Sequence, residues 1–572
     1  MATNLIKGFN LINSSIKFSS RYPLRAFSTV INENIEDFVV TNEPILSYLS
    51  SSKERQLLSD SLTKLSKDCH NVPIVIDGKE YFSDHVRSQV MPFNHSKTIA
   101  KYYWATSELL TKAIETSLEK REAWERVPMK EKIEIFKKAS DLVATKYRYD
   151  LLAATMLGQG KTVFQAEIDA GAEFADFLRF NAFFAKEMTK YQPISENVSV
   201  VKNSFRYRGL EGFIAAISPF NFTAIGGNLA SAPTLMGNVV LWKPSDTAIL
   251  SNYLAFKVLE EAGVPPGVIN FVPCDGPVFG NTITQSRWLA GINFTGSIGT
   301  FKHLWKQVAQ NLDLYLNYPR LVGECGGKNY HFVHSSADID NVVVNTIRSA
   351  FEYSGQKCSA CSRLYVPKSI WPEIKKKMLD ICGKMKLGSP LEFDTFLSAV
   401  IDEKAFNRIK GYIDHAKKSS SCQIIAGGET DDSTGYFVKP TIIECNDLND
   451  KLFNEEIFGP VLTVYQYDDA SVDQALRLVH RNTHYSLTGA IFGQDPKFLQ
   501  MAAEELKMSA GNFYINDKST GAVVGQQPFG GGRLSGTNDK AGGPHYLIRW
   551  TSPQTIKESF VNQKDWKYPY MT

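Results

Sequence analysis

Between Glu211 and Leu312, short apolar runs alternate with helical periods, and few folds can absorb that pattern. Gly212–Ser218 reads as a buried strand running into a Pro219-Phe220-Asn221 turn. Val239–Trp242 comes next, followed by Lys243, Pro244, Ser245 and Asp246, then Leu250, Leu254, Val258 and Ala262 at steps of four, closed by Gly263 and Pro265. Steps of four keep side chains on one helix face, and Gly then Pro stops the helix. Val268–Val272 and Ile292–Thr295 supply two further strands, the second opening through Gly296-Ser297 into Phe301, Leu304, Trp305, Val308 and Leu312. Such strands, apolar throughout and separated by helices, predict a parallel, doubly wound sheet. Its ligands sit beyond the carboxyl ends of the strands, where the Asn221, Lys243 and Ser297 loops fall.

Upstream, Leu110, Ile114, Leu118 and Ala123 or Trp124 mark one amphipathic helix and Glu131–Val143 another; both are expected to cover a face of the sheet. Downstream, a strand-like run near Arg320–Val322, a helix from Ile339 to Tyr353 and a strand at Leu364–Pro367 predict a second α/β unit. Pro193–Arg208 and the chain after Trp550 alternate polar and β-branched residues, which predicts an antiparallel flap. A free flap edge invites pairing with a neighbour, so a homodimer or an assembly of dimers is expected.

The chain has 572 residues, 43% of them hydrophobic and 22% charged, which suits an ordered multi-domain protein. The first thirty residues hold Lys7, Lys17, Arg21 and Arg25, five serines and no acid, the composition of a mitochondrial presequence; the alternative is an untargeted tail. Lys7, Asn10, Asn13 and Lys17 break every apolar stretch that a secretory signal would need. Removing the four cations from the net charge of +3 leaves the rest at −1, which gives a nucleic acid no field to bind. No later run reaches the ~18 apolar residues of a membrane span. The expected home is therefore the mitochondrial matrix. Of eight cysteines only Cys358 and Cys361 are close in sequence. No second pair stands at zinc-site spacing, so neither a metal nor a disulfide framework is expected.

Cys358 stands in Gly355-Gln356-Lys357-Cys358-Ser359-Ala360-Cys361-Ser362-Arg363, and the flanking cations predict easy ionisation to the nucleophilic thiolate. Thirty-four residues earlier, Glu324 precedes Cys325-Gly326-Gly327-Lys328, where two glycines allow close approach to another backbone. A carboxylate there can act as a base, and the Asn221 amide can donate to an oxyanion. Singly, each residue has a plainer reading: a packed thiol, a solvated acid, a turn.

Their order is what carries a resemblance. Pro219-Phe220-Asn221-Phe222, Lys243-Pro244-Ser245, Phe294-Thr295-Gly296-Ser297, Glu324-Cys325-Gly326-Gly327-Lys328, Gly355-Gln356-Lys357-Cys358, Glu456-Ile457-Phe458-Gly459-Pro460 and Pro528-Phe529-Gly530-Gly531 resemble the motifs of the aldehyde dehydrogenase superfamily, in that family's order, from about residue 90 to the carboxyl end. Gly158-Gln159-Gly160-Lys161-Thr162, Ile217–Gly227, Phe351–Arg363 and Asn512–Gln527 are similar to the branch that oxidises L-glutamate γ-semialdehyde in mitochondrial proline breakdown.

The resemblance implies an α/β fold with a Rossmann-type NAD-binding domain (31–192 and 209–320), an α/β catalytic domain (321–532), and an oligomerisation flap and tail (193–208 and 533–572) behind a presequence (1–30). It implies Cys358 as nucleophile, Asn221 as oxyanion donor and Glu324 as the base for hydrolysis. NAD is implied near Ser218, Lys243, Asp246, Gly296, Ser297, Ile298, Gly299, Thr300 and Glu456. Asp246 would bind ribose hydroxyls and disfavour NADP, or else cap the helix it precedes. Phe301 departs from the family, many of whose members repeat a glycine there. The amino-acid end of the substrate would be gripped by Lys357, Ser359 and the backbone of Gly521 and Ala522, with Glu173 and Phe529 lining the pocket. Lys357 has the alternative role of lowering the Cys358 pKa, and Glu173 that of a solvated helix residue. The resemblance leaves open a proline oxidase as a partner. Another aldehyde as substrate, or a member of the fold that has lost turnover, are the competing readings.

Overall fold

The computed structural model describes residues 35–481 and 483–571; the expected presequence lies outside them. Two seven-stranded sheets organise the chain. The first runs in the order Arg320–Glu324, Leu289–Thr295, Phe213–Ile217, Val239–Lys243, Ile269–Phe271, Ile74–Ile76 and Lys79–Tyr81. Its first five strands are parallel, Ile74–Ile76 runs against them, and Lys79–Tyr81, antiparallel to Ile74–Ile76, runs with them again. From Phe213–Ile217 the chain winds one way through two strands and then returns to the other side, so the order reverses between Phe213–Ile217 and Leu289–Thr295. A crevice at such a switch point receives the ligand in doubly wound sheets. The Ser218 and Gly296 loops flank it.

The strand at Arg320–Glu324 belongs to this first sheet and not to a second unit, because its five residues pair in register with Gly291–Thr295. The second sheet begins at Asn329–Val333 and has the order Cys422–Ala426, Thr441–Cys445, Val461–Tyr467, Cys361–Pro367, Asn329–Val333, Thr488–Phe492 and Asn512–Ile515. All are parallel except the edge strand Cys422–Ala426. The chain therefore crosses from one sheet to the other between Glu324 and Asn329, and Glu324 sits at the junction.

The helix Ser107–Arg126 starts at Thr106, whose hydroxyl accepts the Leu109 N–H, and buries Leu110, Ala113, Ile114 and Trp124 as its periodicity predicts. Met129–Ala144 follows, burying Ile133, Phe136 and Val143. A long helical stretch from Val163 to Met188 carries a π-helical segment at Glu167–Glu173; one inserted residue per turn often marks a functional site. The flap is present: Val201–Arg208 pairs antiparallel with Ser552–Ser559 along eight residues. Among the described residues no helix is long and apolar enough to cross a membrane.

Candidate active site

The turn that carries Cys358 is strained. The preceding helix stops at Phe351, two residues short of the predicted end, because Tyr353 and Ser354 adopt φ of 52° and 53°. A non-glycine residue in that region costs roughly 1–2 kcal/mol, and hydrogen bonds offset it. The Tyr353 hydroxyl donates to the Gln159 carbonyl (2.9 Å) and the Ser354 hydroxyl to the Ser398 carbonyl (2.5 Å). Gly355 has φ 66°, and a Cβ on it would stand 2.2 Å from the Gly459 carbonyl oxygen, so only glycine fits. Asn329 clamps the far side, donating its amide to the carbonyls of Cys358 (2.6 Å) and Ala360 (2.9 Å).

Asn221 reaches the same turn: its buried amide donates to the Gln356 carbonyl at 3.1 Å, which leaves its second N–H for another acceptor. A dense buried network fixes its loop. Gln159 donates to the Phe220 carbonyl (2.7 Å) and accepts from Thr223 and Ser251. Asp169 accepts the N–H groups of Thr223 and Ala224, the first turn of the next helix, and pairs with Lys161 at 2.8 Å. The Lys161 ammonium also lies 3.8 Å from the Phe222 ring centroid.

Glu324 ends its strand in a buried setting where, among the described residues, neither carboxylate oxygen is hydrogen-bonded. Burial, with Asp539 adding to it, holds this acid well above the usual carboxylate range against the pull of Lys540 and the Gly531 amide. The two glycines behind it do what the sequence predicts. A Cβ on Gly327 would stand 2.7 Å from the Cys358 carbonyl oxygen, and one on Gly326 would collide with the Glu456 carboxylate at 2.0 Å. Glu456 is held by the Gly327 N–H (2.9 Å) and pushed up to about 7 by burial.

The expectation that local cations ionise Cys358 is overturned. Burial pushes its thiol up strongly, and the charges that reach it are the carboxylates of Glu456, Glu324 and Glu173. Lys357 turns away and pairs with Glu352 at 3.0 Å, so its alternative role of lowering the Cys358 pKa is lost. Glu456→Gln removes one of the three negative neighbours, so the thiol pKa falls. Above pH 7, where wild-type Glu456 is charged, iodoacetamide is expected to alkylate Cys358 faster in this variant, by about tenfold for each pKa unit lost. Below it the two proteins converge; an unchanged or slower rate above pH 7 contradicts the assignment.

The loops of the first sheet lie at its carboxyl edge. The Ser218 amide donates to the Lys243 carbonyl (3.0 Å) and its hydroxyl accepts from the Trp242 indole (2.7 Å). Ser297 caps the helix Ile298–Gln310 by accepting the Thr300 N–H at 3.2 Å. A Cβ on Gly299 would meet nothing within 4 Å, so the first turn faces open space, the setting in which helix amides bind phosphates. Phe301 points inward, stacking on Phe294 at 5.3 Å, which explains its departure from the family glycine. Asp246 is not a helix cap: its carboxylate accepts from the Trp104 indole at 3.1 Å, and no side-chain cap serves the helix Ile249–Ala262. These loops and the Cys358 turn lie on either side of the Glu324–Asn329 crossing.

Of the residues expected to grip an amino acid, Ser359 is buried and its carbonyl accepts from the hydroxyls of Thr488 and Ser519 (both 3.2 Å), which ties the segment leading to Gly521 and Ala522 to the residue after Cys358. Gly521 has φ 83° and is exposed. Glu173, at the end of the π-helical segment, is pushed up to about 8 by burial and by Asp169, opposed by Lys161; it is not a solvated residue. Glu352 holds Lys357 and, at 3.6 Å, Lys518, so two cations share one carboxylate. Phe529 is tied to Ala541 through its amide (2.8 Å). Sequence reading missed Lys518, Asn329, Tyr353 and Asp169. Tyr353 and Lys518 stood inside the Phe351–Arg363 and Asn512–Gln527 motifs without an assigned role, while Asn329 and Asp169 lay outside every motif and join the site through folding alone.

Residues 83–556 match the model of the aldehyde dehydrogenase family. The chain is 57% identical over 534 residues to the mitochondrial delta-1-pyrroline-5-carboxylate dehydrogenase of Danio rerio, covering 93% of this chain and 96% of that one. It is 58% identical over 533 residues to the Homo sapiens protein of the same name, covering 93% and 94%. The crystal structure of the delta-pyrroline-5-carboxylate dehydrogenase from Mycobacterium tuberculosis bound with NAD superposes with a TM-score of 0.91 at 43% identity, covering 95% of this chain and all of that one.

Proposed function

This chain belongs to the aldehyde dehydrogenase family, and from that premise we propose that Cys358, Asn221 and Glu324 carry its chemistry. The enzyme oxidises L-glutamate γ-semialdehyde, the open form of Δ1-pyrroline-5-carboxylate, to L-glutamate with NAD+ in proline degradation. Its address is mitochondrial, as in its relatives; a matrix location and cleavage near Arg25 to Thr29 belong to our proposal.

The Cys358 thiol gives its proton to water as its sulfur attacks the aldehyde carbon, and the oxyanion that forms takes the free N–H of Asn221 and the Cys358 backbone N–H. NAD+, when bound, would supply the hydride acceptor for oxidising the hemithioacetal to a thioester. Glu324 then removes a proton from water as the water adds to the thioester carbon, and the thiolate leaves, releasing the carboxylate. The observation that carries this reading is the close crossing at Gly326–Gly327, which joins an unpartnered buried carboxylate to the Cys358 carbonyl and to Glu456.

The residues present fit the dinucleotide. The open first turn at Ile298, Gly299 and Thr300, capped by Ser297 after Gly296, suits a pyrophosphate; Ser218 lies at the switch point with Lys243 at the end of the next strand, Glu456 would take the nicotinamide ribose, and Asp246 keeps a second oxygen for ribose hydroxyls. For the substrate, Glu173 faces the ammonium, while Ser359 and the Gly521–Ala522 amides hold the carboxylate. Lys357 acts there through the surplus positive charge it forms with Lys518 against Glu352, and Phe529 lines the pocket. The flap exposes Ile194, Val198, Phe560 and Val561, apolar surface that supports a homodimer or larger assembly. We place the division between the two domains at the crossing from Glu324 to Asn329 in place of residues 320/321, because Arg320–Glu324 pairs with the first domain's sheet.

The test is turnover of glutamate semialdehyde by Glu324→Gln, which is expected to accumulate the acyl-enzyme, visible as a mass increment on Cys358. An acyl-enzyme that clears at the wild-type rate in that variant removes Glu324 from the step.

A further inference from the structure

At the far edge of the second sheet, Cys422 and Cys445 face each other directly across the antiparallel pair Cys422–Ala426 and Thr441–Cys445. Their sulfurs are 3.3 Å apart, and the Cys422 sulfur is 3.8 Å from Asp450 Oδ2. Donor atoms of all three residues lie within 4.8 Å of one another. Asp450 is itself oriented: Oδ1 accepts the Leu452 N–H at 2.9 Å, capping the short helix Lys451–Asn454, and Oδ2 meets His415 Nε2 at 2.9 Å. Cys445 is buried, while Cys422 and His415 keep some exposure, so the cluster has a route from solvent.

From this convergence we propose a binding site for a zinc-class divalent cation, with the two thiolates of Cys422 and Cys445 and the Asp450 carboxylate as ligands. His415 is the outer partner that holds the carboxylate, the arrangement by which metal ligands are commonly oriented. Two sulfurs and one oxygen suit zinc in tetrahedral coordination, with water as the fourth ligand. Three electron-rich groups pointed at one another are mutually repelling until a cation or protons intervene. Ligation takes the sulfurs as thiolates, so binding releases the thiol protons. Lys451–Asn454 leads straight into Glu455 and Glu456, so the cation would pin the start of the loop that places Glu456 beside Gly327. Sequence spacing conceals the site because Cys422 and Cys445 are twenty-three residues apart and meet only through strand pairing.

Cobalt(II) chloride added to the reduced full-length enzyme is the probe. One equivalent per chain is expected to give a thiolate-to-cobalt charge-transfer band and the intense visible bands of tetrahedral cobalt, displaced by zinc chloride. Cys422→Ser and Cys445→Ser should lose both signals and Cys358→Ser should keep them, while His415→Ala should weaken binding by roughly 10–100-fold. Native unfolding curves show that all of these variants fold, and the Cys422, Cys445 and His415 variants should also retain dehydrogenase turnover. Three results would overturn the proposal: no bands with folded wild type, bands that survive in Cys422→Ser, or a Cys422–Cys445 disulfide in protein isolated without oxidant.

Discussion

Cys358→Ser is expected to lower NADH formation from glutamate semialdehyde by on the order of 10⁵-fold, the scale set by removing a covalent nucleophile. The substitution changes one atom on a turn whose shape is held by other groups: Tyr353, Ser354, Asn329 and the close packing at Gly355 and Gly327. Folding and dinucleotide binding, read by urea unfolding and by quenching of tryptophan fluorescence, should therefore survive. A hydroxyl set among three carboxylates has no means of ionising, whereas the thiol, though raised by the same neighbours, remains the more acidic group. Cys361→Ser is the matched control, since that sulfur lies buried in its strand and donates to the Arg363 carbonyl at 3.4 Å; its turnover should stay near wild type. Comparable loss in both variants would mean that the turn, and not the nucleophile, had been damaged.

The second large effect is on stability. Asp169→Ala strips the partner from Lys161 and two acceptor contacts from the helix Thr223–Leu235. Lys161 is completely buried, and breaking such a pair by removing one member costs about 3–5 kcal/mol, measurable as a shift in the urea midpoint at constant slope. Because Asn221 stands two residues ahead of that helix, the turnover of the surviving folded fraction should fall as well. Replacing both members, Lys161→Met with Asp169→Asn, should recover part of the lost stability by removing the stranded charge. A loss below about 1 kcal/mol, the worth of an exposed pair, would show that the Lys161–Asp169 contact does not brace the Asn221 loop.

What the sequence made legible follows the range of the forces involved. Apolar periodicity located the parallel strands and the two covering helices, since each reports burial of a segment's own face. The β-flap also came through, although its two strands are more than three hundred residues apart, because each carries the alternation of a half-exposed strand. Arg320–Glu324 was assigned to the wrong sheet, for a strand's residues encode that it is buried but not which neighbour it pairs with. The electrostatics of Cys358 were misread for a related reason. Lys357 is adjacent in sequence, yet its ammonium is spent on Glu352, while Glu456 and Glu173 come from distant segments to set the field. Tyr353 was read as the last helical residue; its left-handed conformation depends on an anchor at Gln159 that no local pattern announces.

The central claim is that this cysteine site is built around an amino-acid semialdehyde and NAD+. Its most direct test is NADH or NADPH formation by the purified enzyme lacking the first thirty residues, offered glutamate semialdehyde, succinate semialdehyde and a simple aliphatic aldehyde in parallel, each with NAD+ and with NADP+. The highest kcat/KM is expected for glutamate semialdehyde with NAD+. Equal or better turnover of an aldehyde without the α-ammonium and α-carboxylate would contradict the grip assigned to Glu173, Ser359 and the Gly521–Ala522 loop.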